Sequence, residues 1–402
     1  MTSSIAAAQA RAGGLLERPW AGRDPEAPAA SPVRWFGMGD PQAPFQKVLG
    51  VLEHHGLLGE DGWLVPGAGL LSIGDHFDWA GDAAEVGRSG ETCLRWLAGH
   101  DPRHVVLIAG NHDLNRVQEF AGESDARFAE ARALAVRIES ARRDAAGGES
   151  VRALEEEFHR RFAPIPTPGL AARDCLSWSE RQRALVRRLL TGGRFLLGCA
   201  ARAEDGTPLL FTHASITTRE LELLGIAGER GARAIAAALR AFFSERIAAA
   251  DSEWRAGALT PLNLAPIHYH GQSGQEGGGF LYHRPMNPES PHGGISGPAR
   301  REAARRYDPR SVLPRGLLQA CGHSAHRKCL RVLGDWTTES ARARARGGLR
   351  TLRTDGRSVT YDMGVHTAVE GEATLHMIDG EMGAVETETY ALYPFAGPVF
   401  ED

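Results

Sequence analysis

The sequence predicts an α/β fold whose strands deliver polar side chains to one sheet edge, and three observations carry that prediction. Short apolar runs alternate with segments of helical period. Glycine closes several of the runs. The residue that follows is Asp, Asn or His. Leu70–Asp78 (Leu-Leu-Ser-Ile-Gly-Asp-His-Phe-Asp) shows all three, as do Val33–Asp40 and Val105–Asp113. Leu209–His213 and Leu317–His323 end on His. In open α/β sheets ligands gather at the carboxyl ends of strands.

Val33–Met38 is the first strand, Gly39-Asp40-Pro41-Gln42 its turn, and Phe45, Val48, Leu49 and Leu52 then keep a helical period. Gly56–Gly69 is loop-like. Leu70–Ile73 is the second strand, Glu91–Ala98 a crossover helix and His104–Ala109 the third strand. Beyond Asp113 the character changes: Phe128, Ala131, Leu134, Ala135 and Ile138, then Leu154, Phe158 and Phe162 after Gly147-Gly148, mark a charged helical hairpin. It reads as an insertion at about 114–175, a lid or a plain surface excursion. Ser177-x-x-Glu180 has the form of a capping box for a helix ending at Gly192-Gly193. Phe195–Cys199 and Leu209–Thr212 flank an Asp205-Gly206 turn, a hairpin signal. Arg219–Ala250 is helical, and a Gly/Pro/His-rich loop at about 268–300 surrounds Phe280-Leu281-Tyr282. Leu317–Cys321 is the last ligand-bearing strand. Arg342–Arg353 reads as a solvated basic surface or a phosphate attractor, and Arg357–Leu392 as closing strands.

Bulk properties exclude several classes. Apolar residues make up 42% of 402, enough for a packed core. A net charge of −4 gives no global attraction to nucleic acid or anionic membrane, and neither partner is indicated. No apolar run approaches a membrane span. Five dispersed cysteines without a CxxC pair suggest reduced thiols and a cytoplasmic location. Met1–Ser31, rich in Ala, Pro and Gly, reads as a flexible leader to a domain at 32–400.

Asp, Asn and His at one edge suit hard or borderline divalent cations. An Asp after a strand is more often a turn former, and a His in Thr-His-Ala more often structural; the ordered series is what points to a site. Phosphate ester hydrolysis needs charge on the nonbridging oxygens, a nucleophile near neutral pH and a proton for the leaving group. Two cations about 3.5–4 Å apart supply the first two. In this reading Asp75 bridges them, Asp40 holds one, and Asn111, His213 and His323 hold the other, with a hydroxide between them attacking phosphorus. His112, oriented by Asp78, protonates the leaving oxygen.

Gly39-Asp40, Gly74-Asp-His-Phe-Asp78, Gly110-Asn-His-Asp113, Phe211-Thr-His213 and Gly322-His323-Ser-Ala-His326 together resemble the calcineurin-like metallophosphoesterases, nearest their bacterial phosphoprotein-phosphatase branch. Phe280-Leu-Tyr-His-Arg284 resembles the aromatic-x-Arg segment before the last His, and Tyr361-Asp362-Met-Gly364 the Asp-x-Gly strand after it. The resemblance implies a four-layer α/β/β/α sandwich and two divalent ions, Mn, Fe or Zn. Two positions depart from the family. Gln42 stands where a His ligand is expected, and an amide oxygen is the weaker ligand. Trp79 stands where an Arg should clamp phosphate; Arg116 or Arg284 could replace it. His326 is a further candidate on the substrate side.

The leading expectation is hydrolysis of phosphomonoesters, on a phosphorylated protein or small molecule. A phosphodiesterase or nucleotide pyrophosphatase is the alternative within enzymes. A regulatory binding protein weakened by Gln42 is the alternative outside them.

Overall fold

The computed structural model describes residues 2–17, 22–24, 27, 32–144, 150–291, 304–344 and 346–400. Two sheets face each other. The first holds β1 (Arg34–Met38), β2 (Ala68–Ser72), β3 (Val105–Ile108) and β4 (Phe195–Leu196), all parallel. The second contains β5 (Gly198–Arg202), β6 (Pro208–Thr212), β7 (Leu318–Cys321), β8 (Arg350–Thr354), β9 (Val359–Met363) and β10 (Ala373–Met377). β11 (Tyr393–Phe395) pairs antiparallel with β1, and β12 (Gly397–Pro398) closes on β5. The orders are β11-β1-β2-β3-β4 and β9-β8-β10-β7-β6-β5-β12.

Both faces of the central strands are buried, so they read as continuous apolar runs rather than alternating ones. Leu71, Ile73, Val106 and Ile108 meet Leu209, Phe211, Leu318 and Ala320 between the sheets. Leu70, Val105 and Leu107 point the other way, into a core shared with α1 (Ser3–Leu16), α2 (Phe45–His54) and α3 (Ala83–Gly99). The long α7 (Ala232–Arg255) covers β5 and β6. The result is the expected α/β/β/α sandwich.

Between β3 and β4 lie α4 (Asp125–Arg143), α5 (Val151–Arg161) and α6 (Glu180–Thr191). α4 and α5 form the expected hairpin around their own core of Phe120, Phe128, Leu134, Ile138, Phe158 and Trp178. The Gly147-Gly148 break and the loop beyond residue 291 lie outside the described residues.

Four local expectations are corrected. Part of the leader is a helix, α1: Thr2 caps it, and Ile5, Ala8 and Ala12, spaced three and four apart, bury a small-residue face. The small size of its alanine side chains hid that stripe. The cap of α6 is Ser179, bonding the N–H of Gln182, because Ser177 is engaged elsewhere. Phe195–Cys199 is not one strand; the chain leaves the first sheet at Leu196 and enters the second at Gly198. Within the Arg-rich stretch, Arg350 is fully buried on β8 and donates to the carbonyls of Ser324 and Asp379.

Candidate functional site

The carboxyl ends of β1, β2, β3, β6 and β7 converge where the two sheets meet. Asp75 (φ 58°), Asp78 (φ 63°) and His323 (φ 59°) lie in the left-handed region. Asp and His tolerate that conformation better than most residues, yet each costs on the order of 1–3 kcal/mol. The cost is carried at the points where the chain must reverse to aim a side chain. Gly110 and Gly322 are required by contact: a Cβ on either would collide with Asp75 or Asp40.

Asp113 ties two of the turns together. It accepts the backbone N–H groups of Asp75, His76 and Gly110 and contacts the buried His76 ring at 3.1 Å. Burial alone would raise its carboxyl; His76 and the amides outweigh that and hold it at about 2. His76 Nε2 in turn meets Ser72 Oγ at 2.9 Å.

Four donor atoms from four turns face one point. His213 Nδ1 lies 2.9 Å from the carbonyl of Ile73, which only accepts, so that nitrogen carries the proton and Nε2 a lone pair. Nε2 lies 3.0 Å from Asn111 Oδ1, 3.2 Å from His323 Nδ1 and 3.5 Å from Asp75 Oδ1. Donors held about 2.1 Å from a common cation lie roughly 3.0–3.4 Å apart along the edges of its coordination shell. Two imidazole nitrogens and two oxygens at these spacings fit a divalent ion. Burial, then Arg284, hold the His323 imidazole well below its usual pKa and thus neutral, the form that ligates; among the described residues its buried Nε2 has no hydrogen-bond partner.

Asp40 sits beside this group and accepts the N–H of His323 at 3.0 Å. Burial, then the charges of Asp379 and Asp75, raise its carboxyl well above the usual range. Gln42 Nε2 donates to the carbonyl of Phe77, and Gln42 lines the same cavity as Asp40, Asp75 and Asp379. That cavity, of about 300 Å³, is also walled by Trp79, His112, Arg284, His323, Lys328 and Met382.

His112 Nδ1 lies 3.2 Å from Asp78 Oδ2, and its Nε2 lies 3.9 Å from Asp75 Oδ2. Burial disfavours the imidazolium, but Asp75 and Asp78 prevail and lift the ring to about 9. Asp78 is saturated: Ser177 donates N–H and O–H to Oδ1, and Arg116 pairs with Oδ2 at 2.8 Å. Burial opposes its ionisation, yet Arg116 and His112 keep its pKa below the ordinary value.

Two candidates do not reach the cavity. Arg116 is fully buried; its guanidinium is committed to Asp78, Ser177, Gln182 and the carbonyl of His112, with its Cζ 4.1 Å from the Phe77 ring centre. It holds a wall together and is not a phosphate clamp. His326 bonds Tyr361 Oη and the carbonyl of Ala341, using both ring nitrogens inside the second sheet's outer core. Asp362, the loose match to an Asp-x-Gly strand, is bound by the hydroxyls of Thr338 and Ser340. Among the described residues, the cavity takes no lining residue from 114–175.

Asp379, Glu381 and Lys328 line the cavity without having been singled out. Asp379 follows β10 in Ile378-Asp379-Gly380, an apolar run ending on a carboxylate with the glycine after it and not before, a variant of the signature seen elsewhere. Lys328, in the first turn of α8 (His326–Leu333), carries no sequence signal.

No family model matches the chain, and no curated protein matches it. Among solved structures it is similar to a cold-active protein tyrosine phosphatase determined at 1.1 Å, with 14% identity, 55% of this chain and 51% of that chain covered, and a TM-score of 0.25. A second is the cold-active protein-tyrosine phosphatase of a psychrophilic Shewanella sp., with 15% identity, 58% and 56% coverage, and a TM-score of 0.26. The chain spans about half the length of these structures. Among the described residues, no helix is long and apolar enough to cross a membrane.

Proposed function

We propose that the chain is a metal-dependent phosphoesterase acting on phosphomonoesters. The observation that carries this reading is the convergence of Asn111 Oδ1, His323 Nδ1 and Asp75 Oδ1 within 3.0–3.5 Å of His213 Nε2, at the floor of a cavity lined by Asp40, Asp75, Asp379 and Glu381 and by the cations Arg284 and Lys328. Those four side chains would hold one divalent cation; Asp40, Asp75, Gln42 and Asp379 offer oxygens for a second. Cations bound there supply charge for the phosphate oxygens and lower the pKa of water.

The remaining work belongs to the chain's own side chains. Among the described residues Arg284 spends only its Nε, in a bond to the carbonyl of His323 at 3.4 Å, and presents the rest of its guanidinium to the phosphate oxygens. His112 faces Asp78 through Nδ1 and holds a proton at Nε2 for the leaving oxygen. Asp78, fixed by Arg116 and Ser177, keeps the ring in that orientation. The side of the cavity lined by Trp79, Met382 and Ala384, with Glu381 beside them, leaves room for the leaving group.

The test is hydrolysis of p-nitrophenyl phosphate beside bis(p-nitrophenyl) phosphate, with Mn added, in wild type and Asp75→Asn. The expected result is turnover of the monoester, lost to background in the variant. Preference for the diester would transfer the reading to a diesterase, and turnover that survives Asp75→Asn would end it.

A further inference from the structure

Lys328 answers a question posed by Trp79. Resting on the phosphoesterase reading above, we propose that Lys328 and Arg284 form a two-cation clamp for the terminal phosphate, which makes the site selective for a dianionic monoester over a monoanionic diester.

Both side chains line the same cavity as Asp40, Asp75, His112 and His323. Among the described residues no hydrogen bond or ion pair reaches the ammonium of Lys328, although the side chain extends into a concave, charged space. Two other cations near the catalytic turns are spent. Arg116 is bound to Asp78, and Arg350 to two carbonyls. An ammonium and a guanidinium with free donors, placed near each other, repel; an anion between them turns that repulsion into two charge-assisted hydrogen bonds. Consistent with this, the Arg284 charge is the foremost influence holding Lys328 below its ordinary pKa, followed by burial; Asp379, Asp174 and Asp40 oppose them.

The two cations also come from different elements. Arg284 follows the Phe280–Tyr282 turn, whose Tyr282 ring packs on His323, and Lys328 rises from the helix after His323. The last imidazole of the site is thus flanked on both sides by a phosphate-seeking group. A phosphomonoester near neutral pH carries up to two negative charges and three terminal oxygens, enough to meet both. A diester carries one charge and two such oxygens, and its second substituent competes for the space Lys328 occupies.

The experiment measures inorganic phosphate binding by calorimetry on the Mn-loaded protein, with KM and kcat for the two nitrophenyl esters, in wild type, Lys328→Met and Lys328→Arg. Loss of one charge-assisted contact should weaken phosphate roughly 10- to 100-fold and raise KM for the monoester by a similar factor in Lys328→Met. KM for the diester should stay within about twofold, and Lys328→Arg should recover most of the phosphate affinity. Because Lys328 makes no hydrogen bond or ion pair among the described residues, its replacement leaves the thermal midpoint unchanged. Phosphate affinity equal to wild type in Lys328→Met, or equal losses for both esters, would overturn the clamp alone. A wild-type protein that binds phosphate through Lys328 yet hydrolyses neither ester would support the clamp and overturn the phosphoesterase reading.

Discussion

The two walls of the cavity are built on opposite principles. On one, every charge is answered within the chain: Asp78 by Arg116, His112 and Ser177, and Asp113 by three amides and His76. On the other, among the described residues, charges and lone pairs are left open: Lys328, most of Arg284, and the buried His323 Nε2. A buried polar group left unpaired costs stability, and a paired one does not. The saturated wall therefore holds the geometry, and the open wall faces what binds. Stability and function should separate along that line.

The largest expected effect tests the saturated wall. Arg116→Met strands the Asp78 carboxylate in a dry site and should lower the unfolding free energy by about 3–5 kcal/mol in urea titration. Lys328→Met, the matched change on the open wall, should cost less than about 0.5 kcal/mol. Similar losses from the two would erase the distinction between the walls.

His112 stands where the walls meet, oriented by one and facing the other. His112→Ala should lower kcat by on the order of 10²–10⁴ for phenyl or alkyl phosphate, whose leaving oxygens need a proton. It should cost far less for p-nitrophenyl phosphate, which departs as a stable anion. Equal losses across the leaving groups would make His112 a binding residue and not the acid.

The saturated wall also has a pH signature. The Asp113 carboxyl is held at about 2 against an ordinary 3.8, so the folded state binds its proton more weakly than the unfolded chain does. Its stabilisation is complete above about pH 4 and is lost as pH falls toward 2, about 2 kcal/mol in all. Asp113→Asn should remove that part of the acid slope of stability, measured by urea melts between pH 2 and 5. A slope identical to wild type would place the acid sensitivity elsewhere.

Much of this was legible in the sequence because strand ends leave little freedom. Asp40, Asp75, Asn111, His213 and His323 follow short apolar runs, and a parallel sheet brings such positions to one edge whatever lies between them. Pairing across two sheets was less legible, since nothing local says that Leu196 ends one sheet and Gly198 begins the other. Arg116 was misread because an arginine beside an Asn-His-Asp turn looks the same whether it faces phosphate or a carboxylate behind it. Helix α1 was missed because alanines, which favour helix, bury so little apolar area that the stripe hardly registers. Lys328 had no signal because its value lies in what it does not touch.

The smallest effect concerns Gln42, which belongs to neither wall. Its amide nitrogen is occupied by the carbonyl of Phe77, so only its oxygen is free for the cavity, beside the carboxylates of Asp40, Asp75 and Asp379. The donors on this side are then all oxygens, whereas those around His213 and His323 include two imidazoles. Oxygen donors suit Mg or Mn, and imidazoles suit Zn or Fe. If both subsites fill, they should differ in metal preference. Gln42→His should raise affinity for the more weakly held ion, by about tenfold for Zn and less for Mn, read by calorimetric titration of the metal-stripped protein. The change also removes the bond to Phe77, so the thermal midpoint of the apo protein should be compared alongside. An unchanged titration would mean that Gln42 does not face a cation and that Asp40, Asp75 and Asp379 define that side of the cavity without it.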